Sequence, residues 1–159
     1  EITFTTSRDL ARVVLGHDAP VNGEVLPAKT ILHFGPGNKL RHFWLPAPTT
    51  IQGYSLAARS DGAGERLHPN GRLEALWLTN DREIDGVPCS SSINVFRFGW
   101  QVIHLGTQRM VWLYDTGRLH QCMIGHDVVV RGKHLHAGEV VVFTPAGDVD
   151  SLGAKITHW

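Results

Sequence analysis

Four short stretches of this chain repeat one pattern: Phe34-Gly-Pro-Gly-Asn38-Lys-Leu40, Leu67-His-Pro-Asn-Gly71-Arg-Leu73, Leu113-Tyr-Asp-Thr-Gly117-Arg-Leu119 and Phe143-Thr-Pro-Ala-Gly147-Asp-Val149. Each runs from an apolar residue through a turn that ends in Gly or Asn, then one polar residue, then another apolar residue. Gly and Asn accept the positive φ that hairpin turns demand. With Asn38, Gly71, Gly117 and Gly147 as anchors, Leu45, Leu78, Ile124 and Ala154 lie seven residues on. Ile51, Ile84 and Val130 lie thirteen on, and Gly53, Gly86 and Gly132 fifteen on. Counting back from Val21 and Gly23 sets an earlier anchor at Arg8, with Phe4, Leu10 and Leu15 in the expected columns. Self-similarity of this kind is the signature of a repeat fold.

The columns predict an all-β chain of five tandem β-hairpin repeats. Each hairpin is followed by a link through an I-x-G turn. One hairpin cannot bury its own apolar face, but stacked neighbours can. The expected body is therefore a curled antiparallel sheet, a β-roll or a barrel-like form, as a single domain over 1–159. By local propensity, residues 7–15 (SRDLARVVL) also fit a capped helix. The shared register makes them the return strand of the first hairpin. Fifteen basic residues balance fifteen acidic ones, so no electrostatic footprint points to nucleic acid. No apolar run approaches the length of a membrane span. Residue 1 is Glu rather than Met, which implies that something was removed or trimmed. The chain reads as soluble, without choosing between cytoplasm and export.

The pattern x-G-x-L…L…I-x-G resembles the MORN-like hairpin repeats of bacterial proteins, including the group called YwqK-type antitoxin repeats. The resemblance rests on Asn38, Gly71, Gly117 and Gly147 with Leu40, Leu73, Leu119 and Val149. It is to a looser variant, because the Tyr-x-Gly core and dense glycines of true MORN motifs are missing. It implies an elongated β scaffold used for protein or lipid contact, and it supplies no catalytic residues.

The columns also sort core from decoration. Cys89 and Cys122 take places that other units fill with Leu, Val or Phe, which favours buried free thiols over a nucleophile or a metal ligand; a Cys89–Cys122 disulfide stays open, because only geometry decides it. Trp44 and Trp77 share an apolar column and read as core or half-buried wall; the other reading is a stacking platform for a flat ligand. Trp112 sits in a mixed column with Thr3, His33, Arg66 and Val142, and is expected to face solvent or a pocket. His33, His42, His68, His120, His134 and His136 all stand outside the scaffold columns. On a strand, His134-Leu-His136 would present both rings on one face, a spacing that suits zinc or copper, although two exposed polar positions explain it as well. No cofactor motif is present: no P-loop, G-x-S-x-G, H-E-x-x-H or C-x-x-C.

Two linkers exceed the template, by a short insertion at 58–64 and a longer one at 94–109 that alternates like an extra hairpin. Insertions at one place in adjacent repeats often build a binding face. That expectation puts a site beside Arg97, Trp100, His104, Tyr114 and His120. Two functions remain in view. The first is a repeat scaffold or binding protein that presents a β-sheet pocket or face to a small molecule or protein, with Arg97, Trp100, Trp112, Trp44 and Trp77 as ligand contacts. Its open sheet edges leave room for a homodimer. The second is a small-molecule cyclase, isomerase or hydrolase using acid–base chemistry of His104, Tyr114 or His120 in an apolar β-lined pocket.

Overall fold

The computed structural model describes residues 1–4, 10–58, 64–91, 96–98, 101–103 and 110–152. Among them there is no α-helix, and the strand pairs are antiparallel. The backbone groups into two compact units, Glu1–Thr79 with Asp115–Gly117, and Asn80–Tyr114 with Arg118–Trp159.

The first unit holds β1 (Ile2–Phe4), β2 (Leu10–Val14), β3 (Ala19–Val21), β4 (Glu24–Leu26), β5 (Ile31–Gly35), β6 (Lys39–Trp44), β7 (Thr49–Ile51), β8 (Tyr54–Leu56), β9 (Glu65–Leu67) and β10 (Leu73–Leu76). Its main sheet runs β1-β2-β5-β6-β9-β10, while β3-β4 and β7-β8 form separate two-stranded ladders. The second unit holds β11 (Arg82–Ile84), β12 (Val87–Cys89), β13 (Phe96–Phe98), β14 (Gln101–Ile103), β15 (Val111–Leu113), β16 (Leu119–Met123), β17 (Val128–Val130), β18 (Lys133–Leu135), β19 (Val140–Phe143) and β20 (Val149–Leu152). Here β15-β16-β19-β20 form the main run, and β11-β12, β13-β14 and β17-β18 pair off as ladders. No pairing closes either run into a barrel among the described residues.

Of the segment that also suited a helix, residues 7–9 lie outside the described residues and Leu10–Val14 form strand β2, whose Arg12, Val13 and Val14 pair with His33, Leu32 and Ile31. The extra hairpin expected within 94–109 is present as β13 paired with β14. Asn38, Gly71, Gly117 and Gly147 all have positive φ; Arg8 lies outside the described residues. The I-x-G turns are two-residue loops, because Val21 pairs with Glu24, Ile51 with Tyr54, Ile84 with Val87 and Val130 with Lys133. Both central residues are left-handed in each: Asn22 and Gly23, Gln52 and Gly53, Asp85 and Gly86, Arg131 and Gly132. That is the type I′ geometry whose twist matches the flanking strands.

The x residue of these turns has a second task. Gln52 accepts from the Leu73 amide at 3.0 Å and donates to the Gly71 carbonyl at 2.9 Å. Asp85 accepts from the Leu119 amide at 2.9 Å, and Arg131 donates to Asp148 at 2.6 Å and to the Ala146 carbonyl at 2.8 Å. These three turns are thereby clamped to the next hairpin. A further tie recurs ten residues past the anchors. Asp18, Asp81 and Asp127 accept from the amides of Ala28, Ser91 and Ala137 at 2.8, 2.7 and 2.8 Å, closing the base of their ladders.

The core follows the columns. Leu26, Leu56, Cys89 and Leu135 occupy one fully buried column, and Leu45, Leu78 and Ile124 another. The cysteines are buried as the columns require, but they are not free thiols: Cys89 and Cys122 form the disulfide that the sequence left open, their Cα atoms 5.6 Å apart. An isolated bridge pairs Cys89 with Ile124, which stands two residues along the same segment as Cys122. Two core columns that pack on each other therefore bring the thiols within bonding reach.

Candidate functional site

Each hairpin carries one register shift at the same place. Thr3 faces Arg12 but Phe4 faces Leu10; His33 faces His42 but Phe34 faces Leu40. Arg66 faces Ala75 but Leu67 faces Leu73; Trp112 faces Gln121 but Leu113 faces Leu119; Val142 faces Ser151 but Phe143 faces Val149. The register skips one residue of the return strand in each hairpin: Ala11, Arg41, Glu74, His120 and Asp150. The bulge resets the alternation, so that Leu40 and Phe43, or Leu73 and Leu76, both reach the core although three residues apart. None of the five extra residues is buried, and four of them are polar. Bulges commonly re-aim a side chain at a functional site.

In the first unit two of these residues line one groove. Arg41, His42, Arg66, Leu67, His68, Pro69 and Glu74 enclose about 300 Å³. Strands β6, β9 and β10 supply all but His68 and Pro69, which belong to the turn after β9. The turn is closed by the Gly71 amide donating to the His68 carbonyl at 2.9 Å. A row of cross-strand pairs continues from the groove along the sheet, from Arg66 to His42, His33 and Arg12. Trp44 lies beside it, its ring 4.9 Å from His33 in an edge-on contact and 6.3 Å from His42 in a stacked one.

The electrostatics follow from this crowding. Burial lowers the His42 pKa, and the Arg66 guanidinium lowers it further; Glu74 opposes them, and His33 and Arg41 add smaller downward effects. Burial and the Arg12 charge likewise lower His33. Arg66 and Glu74 approach to 3.7 Å as a partly exposed pair, which binds weakly in water. With neutral histidines the groove holds two guanidiniums against one carboxylate, a net charge of +1, and protonating His42 would take it to +2. Such a set can clasp an oxyanion, and His42 can add a donor once the pH falls below the ordinary histidine range.

Of the residues singled out in the sequence, His42 and His68 line this groove and Trp44 lies beside it, while the other described candidates fall elsewhere. Trp77 is buried, and Trp44 is half-buried against the two histidines. Trp112 is half-buried on β15. Tyr114 and His120 do meet, with ring centroids 4.6 Å apart. The Tyr114 hydroxyl donates to the Phe143 carbonyl at 2.7 Å, and burial and then Asp150 raise its pKa, so it stays protonated and serves as a strut. Arg97 belongs to β13, while Trp100 and His104 lie outside the described residues, as do 59–63 of the shorter insertion. His134 and His136 are both exposed with Leu135 buried between them. His136 Nδ1 lies 3.5 Å from an Asp127 carboxylate oxygen, and no group of three or more metal-ligating side chains occurs among the described residues.

His33, His42 and His68 were visible in the sequence as residues outside the scaffold columns. Arg12, Arg41, Arg66 and Glu74 were not singled out. The column three past each anchor, which reads Ala11, Arg41, Glu74, His120, Asp150, carried the missing signal. No family model, curated protein or solved structure matches this chain.

Proposed function

We propose that this chain is a binding protein built on five tandem hairpin units, a loose MORN-like scaffold that presents a sheet face to a small ligand. The observation that carries the reading is the groove of Arg41, His42, Arg66, His68 and Glu74. Its polar side chains rise mainly from paired strands, and rigid elements hold a recognition surface better than loops do. The clamps from Gln52 to the next hairpin turn support it by fixing β10. In this scaffold the hairpins supply the frame and the bulges supply the contacts.

The test is a thermal-shift screen of small anionic, neutral and cationic compounds against the wild type and Arg66→Gln. A compound that stabilises the wild type but not the variant places binding on this face. If every stabilising compound protects both equally, the face is not the binding surface.

A further inference from the structure

We propose that the groove between β6, β9 and β10 binds a phosphate group carried on a small hydroxylated molecule, with Arg41 and Arg66 as the anion clasp and His42 as a proton-dependent third donor. The proposal rests on the binding role assigned above to the same face, and it names the ligand class. Two arginines line one cleft, and forked N–H donors match the geometry of phosphate oxygens. A cleft of about 300 Å³ is at the small end of ligand sites and larger than a bare ion needs. Glu74 on the same wall repels an anion but accepts from a hydroxyl, so it fits the uncharged part of a phosphate ester.

His42 supplies the pH dependence. The groups that face it are Arg41 on its own strand, His33 on β5, Arg66 on β9 and Glu74 on β10, with His68 across the groove. In the empty groove, burial and the neighbouring cations oppose protonation. A bound anion reverses that balance, so binding takes up a proton. By linkage, affinity must then rise as the pH falls through the His42 range.

Sulfate is the first probe, because it does not itself titrate between pH 5 and 8; glycerol phosphate and acetate are the others. Binding is read by calorimetry, and by the tryptophan emission, to which Trp44 contributes with its ring centroid 4.9 Å from that of His33 and 6.3 Å from that of His42. In the wild type, sulfate should bind roughly tenfold more tightly at pH 5.5 than at pH 8. His42→Gln should flatten that dependence, so that the ratio of the pH 5.5 to the pH 8 affinity falls close to one. Arg41→Gln should weaken sulfate about tenfold at both pH values, and glycerol phosphate should bind more tightly than sulfate at pH 8. A readout without any variant is the His42 imidazole proton resonance, whose titration midpoint should move upward when sulfate is added. A midpoint unmoved by sulfate, or an unaltered pH slope in His42→Gln, overturns the proposal. Tighter binding of sulfate than of the ester would mean a site for the free anion and would overturn the ester assignment. Should acetate or an uncharged compound bind in an Arg66-dependent way while sulfate does not, the ligand class falls and the binding face stands. When nothing binds in an Arg66-dependent way, both fall.

Discussion

Gly64 shows how narrow the tolerances are around the groove. A Cβ at this buried position would come within 2.4 Å of the Phe43 carbonyl oxygen and 2.7 Å of two Trp44 ring carbons. Backbone cannot swing aside as a flexible side chain can, so Gly64→Ala must displace β6 or the Trp44 ring. The expected cost is about 1–3 kcal/mol, read from the urea midpoint, and the Trp44 emission should change with it. Nothing in the sequence distinguished Gly64 from its loop neighbours, because the constraint comes from a strand twenty residues away. The histidines behaved differently. They were legible as residues that stand outside the apolar columns, since register alone separates core from decoration. Which of them meet was not legible, because that depends on cross-strand pairing. Tyr114 and His120 meet to brace the second unit, whereas His33 and His42 meet across β5 and β6 beside the groove.

At the level of elements, the turns were legible and the bulges were not. Positive φ restricts composition to Gly, Asn and a few others, so a turn announces itself in one residue. A bulge adds a single residue to a strand without demanding any type there, so it shows only when several hairpins are aligned. The disulfide was hidden for a related reason. Two apolar columns each held one cysteine, and only their packing revealed that the columns are adjacent. The cross-link closes a loop of 33 residues that contains β13 and β14. Loop-closure entropy gives it about 3–4 kcal/mol of stabilisation at this length. Cys89→Ala with Cys122→Ala should therefore lower the unfolding free energy by about that amount, plus the lost packing of two buried sulfurs. Amide exchange should locate the largest loss of protection in β11, β12 and β16; unchanged exchange there would show that the bond adds nothing to the fold. Asp85→Ala tests the clamps separately. It leaves the Leu119 amide without its acceptor, at a cost of about 1–2 kcal/mol in the same assay.

For the molecule as a whole, these local environments add up to a stability that falls in two steps with acid. His33 and His42 have folded pKa values below the ordinary histidine value of about 6.5, because burial and nearby arginines resist the charged form. Above that value neither the folded nor the unfolded chain is protonated at these sites, and their contribution is complete. As the pH falls from there through the lowered folded values, the unfolded chain binds more protons and stability is lost. Asp81 provides the second step. Its carboxylate accepts from the Ser91 amide and from the Ser91 and Ser90 hydroxyls, which holds its pKa below the ordinary aspartate range. That contribution is present above the unfolded aspartate pKa of about 3.9 and disappears as the pH drops through the folded value. Asp127, which accepts from Ala137 and lies beside His136, follows the same sign. Urea midpoints measured from pH 8 to pH 3 should therefore show a plateau, a first decline below about 6.5 and a second below about 4. Replacing His33 and His42 together by Gln should remove the first decline and spare the second, while Asp81→Asn should lower the plateau and reduce the second. Sulfate should oppose the first decline only, since it stabilises the protonated groove. A single smooth decline, identical in all of these variants, would mean that net-charge repulsion, not the groove and the ladder caps, governs the response to acid.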